Sequence, residues 1–309
     1  MIAFVASLRT LPRVERAPTD RLDLRGLLLM ATGLPLFTYG LAEIGKTGSF
    51  TATTVVLPAL AGLALVAAFV LHALRLPRPL LDLRLYRRAT FASASIAMFC
   101  LGAALFGGMI LMPLYWQQIR FESVVTTGLL TAPMGLGMAL VMPFAGRLAD
   151  RVGGGPLALA GVVVTTLATI PFGFIGAHTS ILGLSVAMFV RGMGVGLAFM
   201  PAMSAAFAAL RPSELADATP QLNVLQRVGG SIGTAVLAVV LRRALTGMHG
   251  VAAAAGAYGT AFWWSLGLTA LAIAPCIVLV RAERAARAAA GNDPLAPSVE
   301  AQTLAEAVG

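Results

Sequence analysis

Charged side chains are scarce in this chain, and two groups of them could carry chemistry. The string Gly146-Arg147-Leu148-Ala149-Asp150-Arg151 separates apolar runs at 124–146 and 156–177, and Arg191 lies alone within the apolar run 181–209. A carboxylate between two arginines can make and break charge-assisted hydrogen bonds. A lone arginine in apolar sequence needs a partner or water. What either group can do depends on the elements that hold it.

The composition predicts a membrane protein built only of helices. The chain is 58% hydrophobic and 11% charged, with a mean hydropathy of +0.87. Soluble domains carry about 25% charged residues, so there is too little polar sequence here to cover a soluble core. Eight apolar runs are about as long as a bilayer-crossing helix; they lie near 24–45, 54–74, 90–113, 124–146, 156–177, 181–209, 223–241 and 259–280. The predicted fold class is an all-α polytopic membrane protein with about eight transmembrane helices.

The basic residues predict the orientation of these spans. Sixteen of the 22 Lys and Arg residues fall on the side of the N terminus, four on the other side, and two, Arg191 and Arg227, within spans. Cytoplasmic loops are enriched in Lys and Arg, so both termini are predicted to be cytoplasmic in a multi-pass protein of the cell (inner) membrane. This placement accounts for the net charge of +9, and no nucleic-acid partner is predicted.

Loop lengths divide the chain into five segments. A basic cytoplasmic segment, 1–23, precedes a two-helix unit at 24–74, and a basic cytoplasmic loop with two prolines follows at 75–89. Short connections join the remaining six spans into a bundle at 90–280, which can be read as three helices plus three. The polar, alanine-rich segment 281–309 is predicted to be a mobile cytoplasmic tail.

Several strings in a fixed order resemble a known transporter family. GRLADRVGG resembles the signature Gly-x-x-x-Asp-Arg-x-Gly of the major facilitator superfamily, with Gly154 and Gly155 where basic residues usually follow. PLLDLRLYRRATFASAS, LMPLYWQQI, TTGLLTAPMGLGM, RGMGVGLAFMP and LNVLQRVGGSIGTAV are similar, in that order, to the fourteen-helix drug:H⁺ antiporter branch. The resemblance covers roughly residues 20–282. It matches the two extra helices and the second six-helix half of that branch. The first six helices are missing, except that residues 1–16 resemble the tail of the sixth.

The resemblance implies an activity and a set of partners. It implies proton-coupled efflux of hydrophobic, often cationic compounds by alternating access, with binding between two halves and no cofactor beyond the proton gradient. The expected partners are the lipid bilayer, the hydrophobic substrates and a separate N-terminal half or another copy of the chain. The chain could also be a fragment or a mis-started reading frame. A truncated, non-transporting remnant or a membrane interaction subunit is the competing hypothesis.

Two sites are expected to take part in transport. The first is a gating loop made of Gly146, Arg147, Asp150, Arg151 and Gly153. In it, the Asp150 carboxylate would accept hydrogen bonds from a helix N terminus and pair with arginine. The alternative is a loop that only sets topology. The second is Arg191, about ten residues and 15 Å into its span, which the resemblance links to proton coupling. The alternative for Arg191 is a packing role, with hydrogen bonds to carbonyls of neighbouring spans.

The remaining candidates are cavity and packing residues. Polar side chains at the ends of spans could line a cavity or join helices, namely Gln117, Gln118, Asn223 and Gln226. Glycines in spans allow close helix contact, namely Gly192, Gly194, Gly196, Gly229 and Gly233. Ten methionines in spans suit either a promiscuous cavity or core filling. Two cysteines and three scattered histidines predict no metal site, and no catalytic motif is present.

Overall fold

The computed structural model describes residues 23–47, 51–76, 79–208, 210–211 and 214–291. These residues form no β-strand, and they contain eight helices long and apolar enough to cross a membrane. The all-helical fold class and the number of spans are thereby confirmed. The helices are α1 (Leu24–Thr47), α2 (Thr53–Arg75), α3 (Ala89–Gln118), α4 (Val124–Val152), α5 (Gly154–Thr169), α6 (Ile181–Ala208), α7 (Leu215–Leu245), α8 (Val251–Leu271) and α9 (Ile273–Gly291). The last two form one span, broken at Ala272, and 3₁₀ turns occupy Leu83–Arg87 and Ile170–Phe174.

Helices α3 to α9 pack as a bundle with two chemically different ends. The basic end is where α3 begins and α4 finishes, and it carries Arg88, Arg151 and Arg211. The aromatic end is where α3 finishes, and there Tyr115, Trp116 and Tyr258 are fully buried. The most extensive helix pairings are α3 with α7, α4 with α6, and α5 with α6. Helix α6 therefore joins α4 and α5, and α3 holds α7 on the other side of the bundle.

Glycines bring α3 and α7 into backbone contact. A Cβ placed on Gly229 would meet the carbonyl oxygen of Phe99, and one on Gly233 would meet that of Ala103. From the other helix, a Cβ on Gly102 would meet the carbonyl oxygen of Gln226. Such close approach is the usual means by which helices associate in lipid, where burying apolar side chains gives no hydrophobic gain.

Helix α6 is held in the same way on two sides. A Cβ on Gly192 would meet the carbonyl oxygen of Met134 in α4, and Gly196 faces α4 one turn further along. Gly194 faces the opposite side, where a Cβ would lie 2.7 Å from the backbone nitrogen of Thr165 in α5. Because these contacts are between backbones, they fix the spacing of α4, α5 and α6.

The two-helix unit is a hairpin that docks on the bundle. Helices α1 and α2 approach each other at Gly62, where a Cβ would meet the backbone of Phe37. At one end of the hairpin, Ile44 and Val55 form a small buried cluster with Ala235 and Val239 of α7. Ten large apolar side chains of α1 and α2 are exposed, as expected for helices that contact lipid.

Three predicted boundaries are wrong. The string 146–151 is the helical end of α4 rather than a turn, and the reversal takes place at Gly153, whose φ of +108° favours glycine. Helix α7 begins at Leu215 rather than at 223, and α8 at Val251 rather than at 259. Hydropathy misses the ends of α4 and α7 because these helices continue with polar residues beyond the apolar core. The first eight residues of α8 are instead apolar or small, and the predicted span left them out. The final helix reaches Gly291, whereas the predictions for 1–22 and 292–309 lie outside the described residues.

An ion pair closes the basic end between α3 and the connection from α6 to α7. Both terminal nitrogens of Arg88 donate to the Glu214 carboxylate at 2.9 Å, and the backbone N–H of Arg211 donates to it at 2.8 Å. The bond from Arg211, followed by the pairing with Arg88, holds the pKa of Glu214 below its usual value. The charged form of Glu214 is therefore the form that stabilises the fold.

We predict that Gly229→Ala destabilises the protein whereas Gly256→Ala does not. The added methyl at position 229 collides with the backbone of α3, and overpacking of this kind costs about 1–3 kcal/mol. Position 256 in α8 has no atom within 4 Å of a Cβ, so alanine there gains up to about 1 kcal/mol of helix propensity. Thermal unfolding in detergent, followed by size-exclusion chromatography, measures both. Equal melting temperatures for the two variants would contradict the packing assignment.

We predict that Glu214→Gln lowers the melting temperature at neutral pH and has no effect in acid. A carboxyl whose pKa is lowered on folding stabilises the protein above its unfolded pKa, near 4.5, and loses that contribution as the pH falls through its folded pKa. The difference in melting temperature between wild type and variant, measured from pH 7 to pH 3.5, should shrink below pH 4.5. Arg88→Gln should show the same convergence, and a constant difference would exclude the ion pair as its cause.

Candidate functional site

A cavity of about 460 Å³ lies between α3, α4 and α6. We call it the central cavity. Its wall is almost entirely apolar and rich in methionine: Leu105, Phe106, Gly108, Met109, Met112, Pro113, Gly128, Thr131, Ala132, Met134, Gly135, Met138, Met188 and Arg191. Methionine has a flexible, polarisable side chain, which can adapt to ligands of different shape.

A second, smaller cavity adjoins it toward the basic end. This lower cavity measures about 210 Å³ and shares Leu105 and Met138 with the central cavity. Its other lining residues are Met98, Met142, Phe199, Met200, Met203, Asn223 and Gln226. Nine of the ten methionines noted in the sequence thus line one cavity or the other, and the exception is Met193. The two interpretations of these residues overlap, since Met98, Met112 and Met188 also belong to the buried core.

Arg191 contributes the single charge among the described residues that line the central cavity. It is the eleventh residue of α6, about 15 Å along the helix, and only 2% of its surface is exposed. Nη2 donates to the carbonyl oxygen of Ala104 in α3 at 3.3 Å, and Nε is buried without a hydrogen-bond partner. The carbonyl bond matches the packing alternative, but it uses only one of the five donors of a guanidinium.

A glycine in α3 makes room for this guanidinium. A Cβ on Gly108 would collide with Nη2 of Arg191, and it would lie 3.1 Å from the hydroxyl of Ser265 in α8. The Ser265 hydroxyl is itself buried without a hydrogen-bond partner in the described part of the chain. Arg191 therefore crosses α3 at Gly108 and ends beside a second unsatisfied polar group.

The four polar candidates from the sequence occupy different places. Asn223 and Gln226 lie two to three turns inside α7 and line the lower cavity. Gln117 and Gln118 lie in the last turn of α3 at the aromatic end, outside both cavities, because the buried face of that turn is taken by Tyr115 and Trp116. Gln118 instead joins helices, since its side-chain oxygen accepts a hydrogen bond from the Tyr258 hydroxyl at 2.8 Å.

Arg227 lies deeper than the sequence indicates. It is the thirteenth residue of α7, and its exposed side chain borders a cavity of about 470 Å³ with Thr38 of α1 and Ser231. The predicted start of the span at 223 put Arg227 near a membrane surface. The polar residues from 215 onward hid the true start, and one of them, Gln221, is buried and donates to the carbonyl oxygens of Asp82 and Asp217.

The signature string lies at the basic end of the bundle. Its acidic residue, Asp150, is not the residue that binds the N terminus of α5. Asp150 is exposed, and its carboxylate makes no hydrogen bond or ion pair within the described part of the chain. The expected contact is made by Glu283 of α9, which accepts from the N–H groups of Gly154 and Gly155 at 3.1 and 2.6 Å. A carboxylate is stabilised there because the N terminus of a helix carries partial positive charge.

Glu283 also anchors Arg287 and explains the glycine before α5. Arg287 pairs with the Glu283 carboxylate at 2.7 Å, one turn along α9. A Cβ on Gly153 would lie 2.8 Å from Arg287 and 2.9 Å from Glu283, and the φ of +108° is one that residues with a Cβ rarely adopt, so this position favours glycine. Sequence reasoning missed Glu283 because it follows the last apolar run. The available signal was an acid four residues before an arginine on one helix face.

The sequence matches a known family over most of its length. The family model described as Major Facilitator Superfamily matches residues 3–234. The chain is 37% identical to the "Multidrug resistance protein B homolog" of Mycobacterium tuberculosis (strain H37Rv), covering 77% of this chain and 45% of that protein. It is 30% identical to the "Lincomycin resistance protein LmrB" of Listeria monocytogenes, covering 78% of this chain and 51% of that protein. The chain thus spans about half the length of the curated relatives it matches.

A solved structure shares the fold. The crystal structure of the nucleoside transporter NupG (D323A mutant) superposes with a TM-score of 0.51 at 15% sequence identity, covering 77% of this chain and 63% of that one. At this identity the similarity concerns the arrangement of helices and carries no information on what the cavity binds.

We predict that Glu283→Gln destabilises the protein by about 1–3 kcal/mol, whereas Asp150→Asn changes stability by less than about 0.5 kcal/mol. The amide retains the shape of the side chain but replaces one acceptor by a donor that faces an N–H group of α5. Asp150 is the matched control, because its carboxylate is exposed and makes no such bonds in the described structure. Chemical unfolding in detergent measures both changes, and a larger loss for Asp150→Asn would reverse the assignment.

Proposed function

Since the chain belongs to the Major Facilitator Superfamily, we propose that it is the cavity-bearing part of a proton-coupled exporter of hydrophobic compounds. The names of its relatives support this proposal, because they refer to multidrug and lincomycin resistance. We further assign it to the fourteen-helix drug:H⁺ antiporter branch. The two helices ahead of the six-helix bundle and the order of the signature strings support that assignment.

The central cavity is the observation that carries the proposal. It lies among transmembrane helices, it is large enough for a small organic molecule, and flexible methionines make up much of its wall. A wall of this kind excludes few apolar shapes, which suits export of varied compounds. Arg191 adds one polar anchor beside the apolar surface and is the candidate for coupling binding to proton movement.

A second helical bundle is proposed to complete the transport path. The chain spans about half the length of its relatives, and α4 exposes Leu136, Leu140 and Phe144 along its length. The exposed side chains of Asn223 and Arg227 lie well inside α7. A charge that faces hydrocarbon is costly. We therefore expect these two side chains to face another protein surface or a water-filled path rather than lipid. A separate N-terminal half or a second copy of this chain would supply it.

The basic end is proposed to face the cytoplasm of the cell membrane, because Lys and Arg concentrate on that side of membrane proteins. The signature string then lies at the cytoplasmic exit of α4, directly before the Glu283 cap of α5. Asp150, exposed at that point, is available for a contact with the second bundle that forms and breaks as the transporter changes state. In this proposal the gate lies in the last turns of α4, and Gly153 is its hinge to α5.

We predict that Gly135→Leu weakens binding of a neutral hydrophobic dye by about tenfold or more. Position 135 lines the central cavity and has no atom within 4 Å of a Cβ, so a leucine would fill cavity space without disturbing the packing. A tenfold change corresponds to about 1.4 kcal/mol. Fluorescence titration with N-phenyl-1-naphthylamine, using the purified chain in phosphatidylcholine nanodiscs, measures the affinity. Gly267→Leu, which is equally unobstructed but lies outside the cavity, is the control.

The same variants test transport. In inverted vesicles that contain the chain together with the bundle that completes its path, dye uptake should depend on an imposed proton gradient, with Gly135→Leu defective and Gly267→Leu normal. Asp150→Asn should bind dye normally but transport it more slowly if its contact gates the cycle. If no variant differs from wild type in either measurement, the cavity is not a substrate site. That result would support a non-transporting membrane protein.

A further inference from the structure

The central cavity is electrostatically asymmetric. Arg191 is its only charged lining residue among those described, and no carboxylate of the described chain is bonded to it. The guanidinium is 2% exposed, and its Nε is buried without a partner. Burial of an unpaired charge is strongly unfavourable, and an anion placed beside it relieves that cost. We propose that the central cavity selects amphiphilic organic anions: molecules with an apolar body and a carboxylate, or a similar acidic group, that reaches Arg191.

The geometry divides this ligand into two parts. The apolar body would lie against the apolar wall, which includes Met109, Met112, Met134 and Met188. The acidic group would lie at the Arg191 side, where guanidinium donors remain unused. A guanidinium recognises a carboxylate through two parallel N–H bonds, so the fork of Arg191 suits this group better than a point charge would.

The enclosure of Arg191 favours a small molecule over a side chain from a partner protein. Ala104 and Gly108 of α3 lie against the guanidinium. What remains accessible is the cavity, between α3 and α4. Because only 2% of Arg191 is exposed, a group that pairs with it has to enter the cavity that Arg191 lines, which a small molecule can do.

This inference rests on the proposed transport function and narrows its substrate class. The resemblance noted in the sequence implies hydrophobic, often cationic compounds. A cation in the central cavity would face an uncompensated positive charge in a medium of low dielectric constant, where like charges repel strongly. Cationic compounds should therefore bind most weakly in the central cavity, and neutral compounds should bind with an affinity between those of cations and anions.

Three probes that share one fluorophore test the charge preference: pyrenebutanoate, pyrenebutanamide and pyrenebutylammonium. Each is titrated at pH 7.5 against the chain in nanodiscs of phosphatidylcholine, a lipid without net charge. We expect pyrenebutanoate to bind at least about tenfold more tightly than the amide, and the ammonium to bind most weakly. Gly135→Leu should weaken binding of all three probes, which locates them in the central cavity.

The variants at position 191 assign the preference to one residue. Arg191→Gln should bring the three affinities together, and Arg191→Lys should keep part of the preference, because it retains the charge without the fork. Arg227→Gln is the matched control, since Arg227 is another arginine inside a span but lies outside the central cavity. Its three affinities should keep the wild-type order. Where Arg191→Gln fails to fold, the comparison of Arg191→Lys with wild type still measures the role of the fork.

The results distinguish a failure of the anion preference from a failure of the proposed transport function. Equal affinities of pyrenebutanoate and pyrenebutanamide in the wild type, or tighter binding of the ammonium, would overturn the anion preference. If Gly135→Leu still weakened binding in that case, the central cavity would remain a site for hydrophobic compounds. If no probe bound in a way that Gly135→Leu weakens, both the anion preference and the proposed use of the cavity would fail.

Discussion

Close approach of helix backbones at glycine is the constraint on which the rest of this structure depends. Lipid offers no hydrophobic gain for bringing helices together, so their packing relies on contact between backbones. Gly229 and Gly233 fix α7 on α3, and Gly192 and Gly194 fix α6 between α4 and α5. The pair α3 and α7 and the trio α4, α5 and α6 meet only loosely where α3 faces α4, because these two helices have few direct contacts. The central cavity is the space that this unequal packing leaves between α3, α4 and α6.

The same use of glycine accounts for a charge at membrane depth. Arg191 can lie across α3 only because Gly108 has no side chain, and the carbonyl of Ala104 supplies one hydrogen bond there. The remaining donors have no carboxylate partner in the described chain, so the bonds do not compensate the charge. Packing and the proposed ligand recognition therefore rest on one arrangement: α3 holds the guanidinium in place and leaves it incompletely paired beside the cavity.

The basic end shows how a family signature can differ in detail from its expected contacts. The arginines and Asp150 of the signature string extend α4 by nearly two helical turns, and Gly153 alone makes the reversal into α5. Glu283 then caps α5 from a helix that follows it by 129 residues in sequence. The end of the last span is thereby joined to the beginning of the third span of the bundle, whereas Asp150 remains exposed. The cap of α5 and the proposed gate therefore involve two different acids, Glu283 and Asp150.

The amino-acid sequence by itself determined the eight spans, the glycine-rich helix contacts and the depth of Arg191, because hydropathy and residue spacing are local properties. It misplaced the ends of α4 and α7, where polar residues continue a helix that hydropathy no longer detects. Only the tertiary structure decided that Asn223 and Gln226 line a cavity while Gln117 and Gln118 do not, and that Glu283 replaces Asp150 as the cap. These outcomes depend on which helix faces meet across a hundred or more residues, and in lipid those faces are selected by the fit of backbones, which periodicity does not encode.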